Sequence, residues 1–302
     1  MADHNLSLKE VEQLGYYDFM SYVGVPFYYT GGLKSSLELV RLCHIEENKK
    51  ILMVGCGTGL SACFLAKKLG CDVVGVDIAE LSVKKAQERA KQEFIADRAE
   101  FRIGNAYNLP FESDTFDAVI TEFVAMFLDK TRAFKEFVRV LKPGGYVGIN
   151  ELSINNSAAY SNIADEILIA EQIFKEISGF ELKLCTRNDW KKRLEEAGLK
   201  NVQINNYNSP VEVINLPEYR DHININELPD YNNYISIKKS HGVISNLKKS
   251  LDLKYKRRIL KYIMFSKTLR NRLLKLRKAK KLLYSTGHVG CILGIAQKVN
   301  NP

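Results

Sequence analysis

Three glycines, Gly55, Gly57 and Gly59, stand within five positions between a short apolar run and a segment with helical spacing. The apolar run, 51–54, has the length and composition of a buried strand, and the following segment, 60–70, places apolar residues at helical intervals. Such a turn lets the chain reverse sharply and lets a ligand approach its backbone, while the helix presents its positive end. The sequence therefore predicts a strand–turn–helix unit that holds a ligand.

Strands and helices continue to alternate beyond this unit. The helix at 131–141 is predicted to stop at 142–145, because Pro143 and two glycines cannot continue it. Alternation of this kind predicts a parallel sheet with right-handed crossovers and helices on both faces. The predicted strands are 51–55, 72–78, 99–106, 116–124, 145–152, 201–208 and 288–298, and the predicted helices are 6–20, 35–45, 60–70, 79–94, 131–141, 162–178 and 188–199, the last with Asn188 or Asp189 as its N-cap.

The spacing of the glycines narrows the class of ligand. A dinucleotide site requires G-x-G-x-x-G, but the sixth position here is Leu60, and no Gly-Lys-Ser/Thr follows to form a phosphate-binding loop. Asp77 ends the second predicted strand, where a carboxylate can accept both hydroxyls of a ribose. Asn105 and Ala106 end the third, where an amide can contact an adenine edge. These positions suit an adenosine whose remaining part is not a diphosphate.

Five segments, ILMVGCGTG, VVGVDI, GNAYNLPF, FDAVITEF and LKPGGYVGI, occur in the same order as in the class I S-adenosylmethionine-dependent methyltransferases, which the chain resembles. The resemblance covers residues 50–152, more weakly 186–208 and 288–298, and it is closest to the quinone-biosynthesis and small-molecule methyltransferases. It implies an α/β, Rossmann-like fold with a seven-stranded, mostly parallel sheet. It also implies S-adenosyl-L-methionine as cofactor and methyl transfer by in-line displacement to a small-molecule or lipid-like acceptor.

The resemblance assigns the cofactor contacts to individual residues. The glycine turn would line the methionine part of the cofactor, Asp77 would bind the ribose, and Ile78 would pack on the adenine. Met53 is a departure, because the family usually has an acid two residues before the first glycine. The predicted cofactor-binding residues are Tyr29, Gly31, Gly55, Cys56, Gly57, Gly59, Asp77, Ile78, Asn105, Ala106, Thr121 and Glu122.

Tyr17, Glu122 and Glu151 are the candidate catalytic residues. The loop at 16–32 resembles the lid of phosphoethanolamine and sarcosine methyltransferases, in which a tyrosine matched here by Tyr16 or Tyr17 covers the cofactor. A histidine that partners this tyrosine in the phosphoethanolamine enzymes is replaced by Phe127, which argues against a phosphobase acceptor. The two glutamates end strands at the ligand-binding edge of the sheet, where either is a possible general base or binds a cationic acceptor. Packing of the tyrosine ring and capping of loops by the glutamates are the alternatives.

The charge of the chain is concentrated in one segment. Residues 238–283 contain 17 Lys or Arg and one acid, Asp252, whereas the remainder has a net charge of −7. Apolar residues recur within this segment near helical spacing. Three alternatives remain open: an amphipathic helix docked on the acidic body, peripheral contact with an anionic membrane, and, less favoured, nucleic-acid binding.

The domain organisation follows from these segments. We expect an N-terminal helical lid (1–48), a methyltransferase core (49–208 with 287–302, interrupted by an acceptor-side helical insertion at 153–187), and a basic helical insertion (209–286). A cytoplasmic protein is expected because the first residues are polar, and no metal site because the six cysteines lack zinc-binding spacing. Two alternative functions are left open. One is an RNA methyltransferase, against which the absence of an N-P-P-Y segment argues. The other is a catalytically inactive, cofactor-binding partner subunit. The oligomeric state is left open.

Overall fold

The computed structural model describes residues 6–23, 32–154, 160–207, 260, 262, 264–285 and 289–299. The elements are, in chain order, α1 (Leu8–Gln13), α2 (Tyr16–Val23), α3 (Gly32–Leu42), β1 (Lys50–Val54), α4 (Leu60–Leu69), β2 (Asp72–Asp77), α5 (Glu80–Gln92), β3 (Ala99–Ile103), β4 (Phe116–Glu122), a 3₁₀ turn (Ala125–Phe127), α6 (Lys130–Val140), β5 (Leu141–Ile154), α7 (Tyr160–Ser178), β6 (Cys185–Thr186), α8 (Arg187–Glu196), β7 (Lys200–Asn206), α9 (Lys267–Ser285) and β8 (Val289–Gln297).

The strands form a single sheet in the order β3-β2-β1-β4-β5-β8-β7. β1 to β5 pair in parallel, and β8 runs antiparallel to both of its neighbours. This arrangement confirms the predicted α/β class with a mostly parallel sheet. The strand β6, which pairs with β5, was not predicted, because a strand of two residues shows no periodicity.

Both faces of the sheet are covered, as the apolar strands require. Along β1, Leu52 and Val54 join a core cluster with side chains of α6, α7, α8 and α9, which cover one face. Ile51 and Met53 join a second cluster with side chains of α3, α4 and α5 on the opposite face. Successive side chains of a strand point to opposite faces of the sheet, so a residue's position along the strand decides which helices its side chain contacts.

Two predicted helix boundaries were wrong. The stretch 6–20 forms two helices, α1 and α2, separated at Leu14 and Gly15, and α1 starts with a capping box between Ser7 and Glu10. The N-cap of α8 is Thr186, not Asn188 or Asp189. The Asp189 carboxylate accepts a hydrogen bond from the Thr186 backbone N–H at 3.0 Å, so it forms the second half of a capping box.

The helix α9, which lies in the basic segment, is docked on the body of the protein. Its side chains Ala279 and Leu283 join the main core cluster beside α7, whereas Leu269 packs with Val11 and Phe19 of the lid. The lid helices and the basic helix thus share one small apolar cluster, although more than two hundred residues separate them. In the part of the chain that the structure describes, no helix has the length and apolarity needed to cross a bilayer.

Candidate active site

A cleft opens at the carboxyl ends of β1, β2 and β4, where ligands bind in sheets of this topology. It encloses a cavity of about 240 Å³. The glycine turn, the end of β2, the segment 104–107, the 3₁₀ turn and the lid all contribute to its wall. Predicted site residues that line it are Tyr17, Gly55, Cys56, Gly57, Asp77, Ile78, Asn105, Ala106 and Glu122.

The glycine turn is fixed against the neighbouring strand β2. The backbone N–H groups of Gly55 and Cys56 both donate to the carbonyl oxygen of Val76, at 2.8 and 3.0 Å. Gly55 has a φ of +74°, and a Cβ atom there would lie 2.2 Å from Cγ2 of Val124. A side chain at position 55 would therefore both strain the backbone and push the 3₁₀ turn away from the cleft.

Asp77 connects the turn to the start of α5. Its carboxylate accepts hydrogen bonds from the backbone N–H of Gly57 at 2.8 Å and of Ala79 at 2.9 Å. Burial raises the pKa of Asp77 above its ordinary value, and the two backbone donors oppose that shift. The carboxylate is thus held at the end of β2 by bonds that also set the shape of the glycine turn.

The adjacent wall suits a flat apolar ring. Ile78 is an apolar side chain that remains 59% exposed, and it lines the cavity with Ala106. Asn105 orders this wall, because its side-chain oxygen accepts the N–H of Tyr107 at 3.0 Å. The N-terminus of α4, capped by Gly59 without a side-chain hydrogen bond, directs its positive end to the same cleft. Carboxylate, apolar wall and helix N-terminus together fit the ribose, adenine and carboxylate groups of S-adenosylmethionine.

Glu122 is the buried carboxylate of the cleft, with 8% of its surface exposed. It accepts hydrogen bonds from the Ser36 hydroxyl, at 2.9 and 3.1 Å to its two oxygens, and from the Asn150 amide at 3.4 Å. Met53, at the position where the family usually has an acid, also lines the cavity. Ser36 was not predicted, since nothing in a short amphipathic helix marks one serine as the partner of a distant glutamate.

Glu151 does not line the cleft, contrary to its prediction as a catalytic residue. Its carboxylate is fully buried and accepts hydrogen bonds from the backbone N–H groups of Val124, Ala125 and Met126, at 3.1, 2.8 and 3.2 Å. Burial raises its pKa to about 8, although these donors and Lys130 oppose the shift. Glu151 thus anchors the 3₁₀ turn that carries Phe127.

Two predicted cofactor contacts also lie outside the cavity wall. Thr121 is fully buried and precedes Glu122 on β4, so its side chain points to the opposite face of the sheet. Gly59 packs against α5, because a Cβ atom there would lie 2.7 Å from that of Ala86. Tyr29 and Gly31 lie outside the described residues.

Three aromatic side chains form a cluster in the wall of the cavity. The Tyr17 ring lies 6.2 Å from that of Phe127 and 5.7 Å from that of Phe180, measured between ring centroids, and all three rings line the cavity. Phe127 therefore lies beside Tyr17. Phe180 was missed, because it lies in a loop after α7 with no recognisable pattern.

Comparison with known proteins supports the same assignment. Residues 52–149 match the family described as a methyltransferase domain. An uncharacterised protein of Haemophilus influenzae is 31% identical over 189 residues, which are 62% of this chain and 72% of that protein. Demethylmenaquinone methyltransferase of Lactiplantibacillus plantarum is 42% identical over 104 residues, which are 33% of this chain and 44% of that enzyme.

Among solved structures, the [4+2]-cyclase SpnF superposes with a TM-score of 0.67 at 16% identity, covering 96% of this chain and 97% of that one. That likeness shows the fold alone. The chain spans less than half the length of the demethylmenaquinone enzyme that it matches. Taken with the glycine turn, Asp77 and the strand order, these matches place the chain in the class I S-adenosylmethionine-dependent methyltransferases.

Proposed function

We propose that this protein transfers a methyl group from S-adenosylmethionine to a small acceptor with an apolar or aromatic body. The observation that carries the proposal is that one cavity is lined both by Asp77 and Ile78 and by the rings of Tyr17, Phe127 and Phe180. The first group has the chemistry that holds an adenosine, and the second offers ring faces to an acceptor.

The cofactor, when bound, supplies a methyl group already activated on a sulfonium. The protein itself aligns the acceptor atom with the methyl carbon and excludes water from the cleft. Asp77 would hold the ribose hydroxyls, and the aromatic cluster would orient the acceptor. Glu122, fixed by Ser36 and Asn150, would hold the ammonium group of the cofactor's methionine part. Placing this carboxylate on β4 would compensate for Met53 on β1.

Because the same fold occurs in a protein named a cyclase, the fold does not define the reaction. Titration calorimetry with S-adenosylhomocysteine measures cofactor binding first. Transfer of the labelled methyl group is then measured with two acceptors. One is a demethylated naphthoquinol, the kind of compound named for the Lactiplantibacillus plantarum enzyme, and the other is phosphoethanolamine. Label on the ring compound and none on the phosphobase is the expected result. Cofactor binding without transfer to any member of a panel of neutral aromatic acceptors would favour the catalytically inactive alternative.

Tyr17 provides a test of the acceptor end. Tyr17→Ala is expected to raise the acceptor KM by about tenfold, because it removes a ring face worth about 0.5–1.5 kcal/mol to an aromatic acceptor and also releases Phe127 and Phe180, which pack on that ring. Tyr17→Phe keeps those contacts and should leave KM near the wild-type value. Initial rates with the labelled cofactor measure both constants. A large fall in kcat with unchanged KM in the Phe variant would instead give the Tyr17 hydroxyl a part in the chemistry.

A further inference from the structure

The helix α9 combines a high positive charge with a fixed orientation. Between residues 267 and 285 it contains eight Lys or Arg and no Asp or Glu. Its apolar side chains Leu269, Leu276, Ala279 and Leu283 are buried against the body. Docking of this face leaves the opposite side of the helix directed to solvent.

Two hydrogen bonds hold the start of α9 on the lid. The Ser266 hydroxyl accepts the N–H of Leu269 at 3.0 Å and donates to the Glu12 carboxylate, so it caps α9 while joining it to α1. The Arg272 guanidinium donates to the carbonyl oxygen of Leu14 at 3.1 Å. These contacts fix the rotation of α9 about its axis and keep its charged side directed to solvent.

The solvent side of α9 carries a basic stripe. Lys267, Leu274, Lys278 and Lys281 are spaced by 7, 11 and 14 residues from the first, which places them along one line of the helix. All four side chains are exposed, including Leu274 at 46%. Leu274 therefore presents an apolar surface to solvent between exposed lysines.

Two further apolar side chains are exposed just before the helix. Met264 is 66% exposed and Phe265 is 67% exposed, immediately before the capping Ser266. Large exposed apolar groups beside a concentration of lysines match the composition of helices that lie at the surface of anionic membranes. Nucleic acid would use the lysines equally well, but it offers no site for Met264 and Leu274, which are aliphatic and do not stack on bases.

We propose that the basic stripe of α9, together with Met264 and Phe265, is a docking surface for an anionic lipid bilayer. The lysines contact acidic headgroups, and the three apolar side chains enter the boundary between headgroups and acyl chains. α9 packs on the lid, and Tyr17 of the lid lines the cavity. Docking therefore holds the lid, which carries Tyr17, close to the bilayer; that this proximity serves delivery of the acceptor rests on the proposed function, whereas bilayer binding itself does not.

The test uses the full chain and co-flotation with two kinds of vesicle, phosphatidylcholine alone and phosphatidylcholine mixed with phosphatidylglycerol. Wild-type protein is expected to bind the second kind and not the first. Lys267→Gln/Lys278→Gln/Lys281→Gln should weaken that binding by about a hundredfold, since each lysine near an anionic surface contributes roughly fivefold. Met264→Ser/Phe265→Ser/Leu274→Ser should weaken it by about tenfold or more through lost apolar burial.

Matched control variants remove lysines or an exposed apolar side chain from surfaces other than α9. Lys67→Gln/Lys68→Gln/Lys135→Gln removes three exposed lysines outside α9, and Phe94→Ser removes an aromatic side chain that is 92% exposed. Both should bind vesicles within about twofold of wild type, given the short range of screened charge. Equal losses in control and test variants, or equal binding to phosphatidylcholine alone, would overturn the proposal. So would salt-dependent binding to a single-stranded RNA oligonucleotide with no vesicle binding, which would make nucleic acid the partner.

A readout independent of the membrane separates this inference from the proposed function. The stripe variant should bind S-adenosylhomocysteine as tightly as wild type in calorimetry, because its three lysines lie outside the cavity wall. Unchanged thermal unfolding should show that the exposed substitutions leave the fold intact. Vesicle binding without methyl transfer would contradict only the proposed function, and methyl transfer without vesicle binding would contradict only this inference.

Discussion

Asp77→Ala is expected to weaken the binding of S-adenosylmethionine at least about a hundredfold, the largest single effect that we expect on the cofactor. A carboxylate that accepts two ribose hydroxyls contributes roughly 1.5–3 kcal/mol for each charge-assisted hydrogen bond. The substitution also removes the acceptor for the N–H groups of Gly57 and Ala79, so the glycine turn loses one of its contacts with β2 and keeps those to Val76. Titration calorimetry measures the dissociation constant.

Two further variants separate contact with the cofactor from support of the turn. Asp77→Asn keeps one oxygen acceptor, so it should show an intermediate loss of affinity, about tenfold. Asp72→Ala removes an exposed carboxylate from the other end of β2 and should change nothing. Urea unfolding without cofactor reports the cost of the lost turn contacts separately. Wild-type affinity in Asp77→Ala would remove the ribose assignment.

Glu151→Ala is expected to lower the free energy of unfolding by about 3 kcal/mol. The substitution leaves three backbone N–H groups of the 3₁₀ turn without their acceptor in a buried place. Because that turn positions Phe127, methyl transfer should fall as well. Glu151→Gln keeps one acceptor oxygen for Val124 and Ala125 and should lose less, about 1–2 kcal/mol. Urea unfolding of the two variants measures the difference.

The pH dependence of stability distinguishes a buried anchor from a base. The pKa of Glu151 is raised by burial from 4.5 to about 8, so between these values the native chain holds a proton that the unfolded chain has released. Its contribution to stability is therefore fully present below pH 4.5 and is lost as the pH rises through about 8. Glu151→Gln should flatten this part of the stability profile while the pH profile of kcat keeps its shape. A changed kcat profile with an unchanged stability profile would restore the catalytic role.

Much of the fold could be predicted because its signals are local. Buried strands with short apolar runs, glycines at turns and Pro143 after α6 all appear in the sequence within a few residues of the element that they define. Helix starts were less predictable, since an N-cap such as Thr186 differs from its polar neighbours only in backbone geometry. The docking of α9 on α1 and α2 depends on contacts across more than two hundred residues, which no local pattern encodes.

Glu122 and Glu151 could not be distinguished from the sequence alone. Both follow the same rule, a carboxylate near the carboxyl end of a central strand, and the sequence treats them alike. In the sheet, Glu122 pairs in register with Asn150, so these two side chains share the face of α3, where Glu122 accepts from Ser36 and Asn150 donates to Ser35. Glu151 is the next residue on β5 and must point to the other face.

The sequence by itself determined the alternation of strands and helices, the edge of the sheet that binds a ligand, and the adenosine-binding character of that edge. Those features depend on periodicity and on glycines and acids at strand ends. Only the tertiary structure decided which carboxylate enters the cleft, which aromatic rings close it, and which side of the basic helix meets solvent. The physical reason is that a shift of one residue along a strand reverses the side chain's face, and the register is set by neighbouring strands.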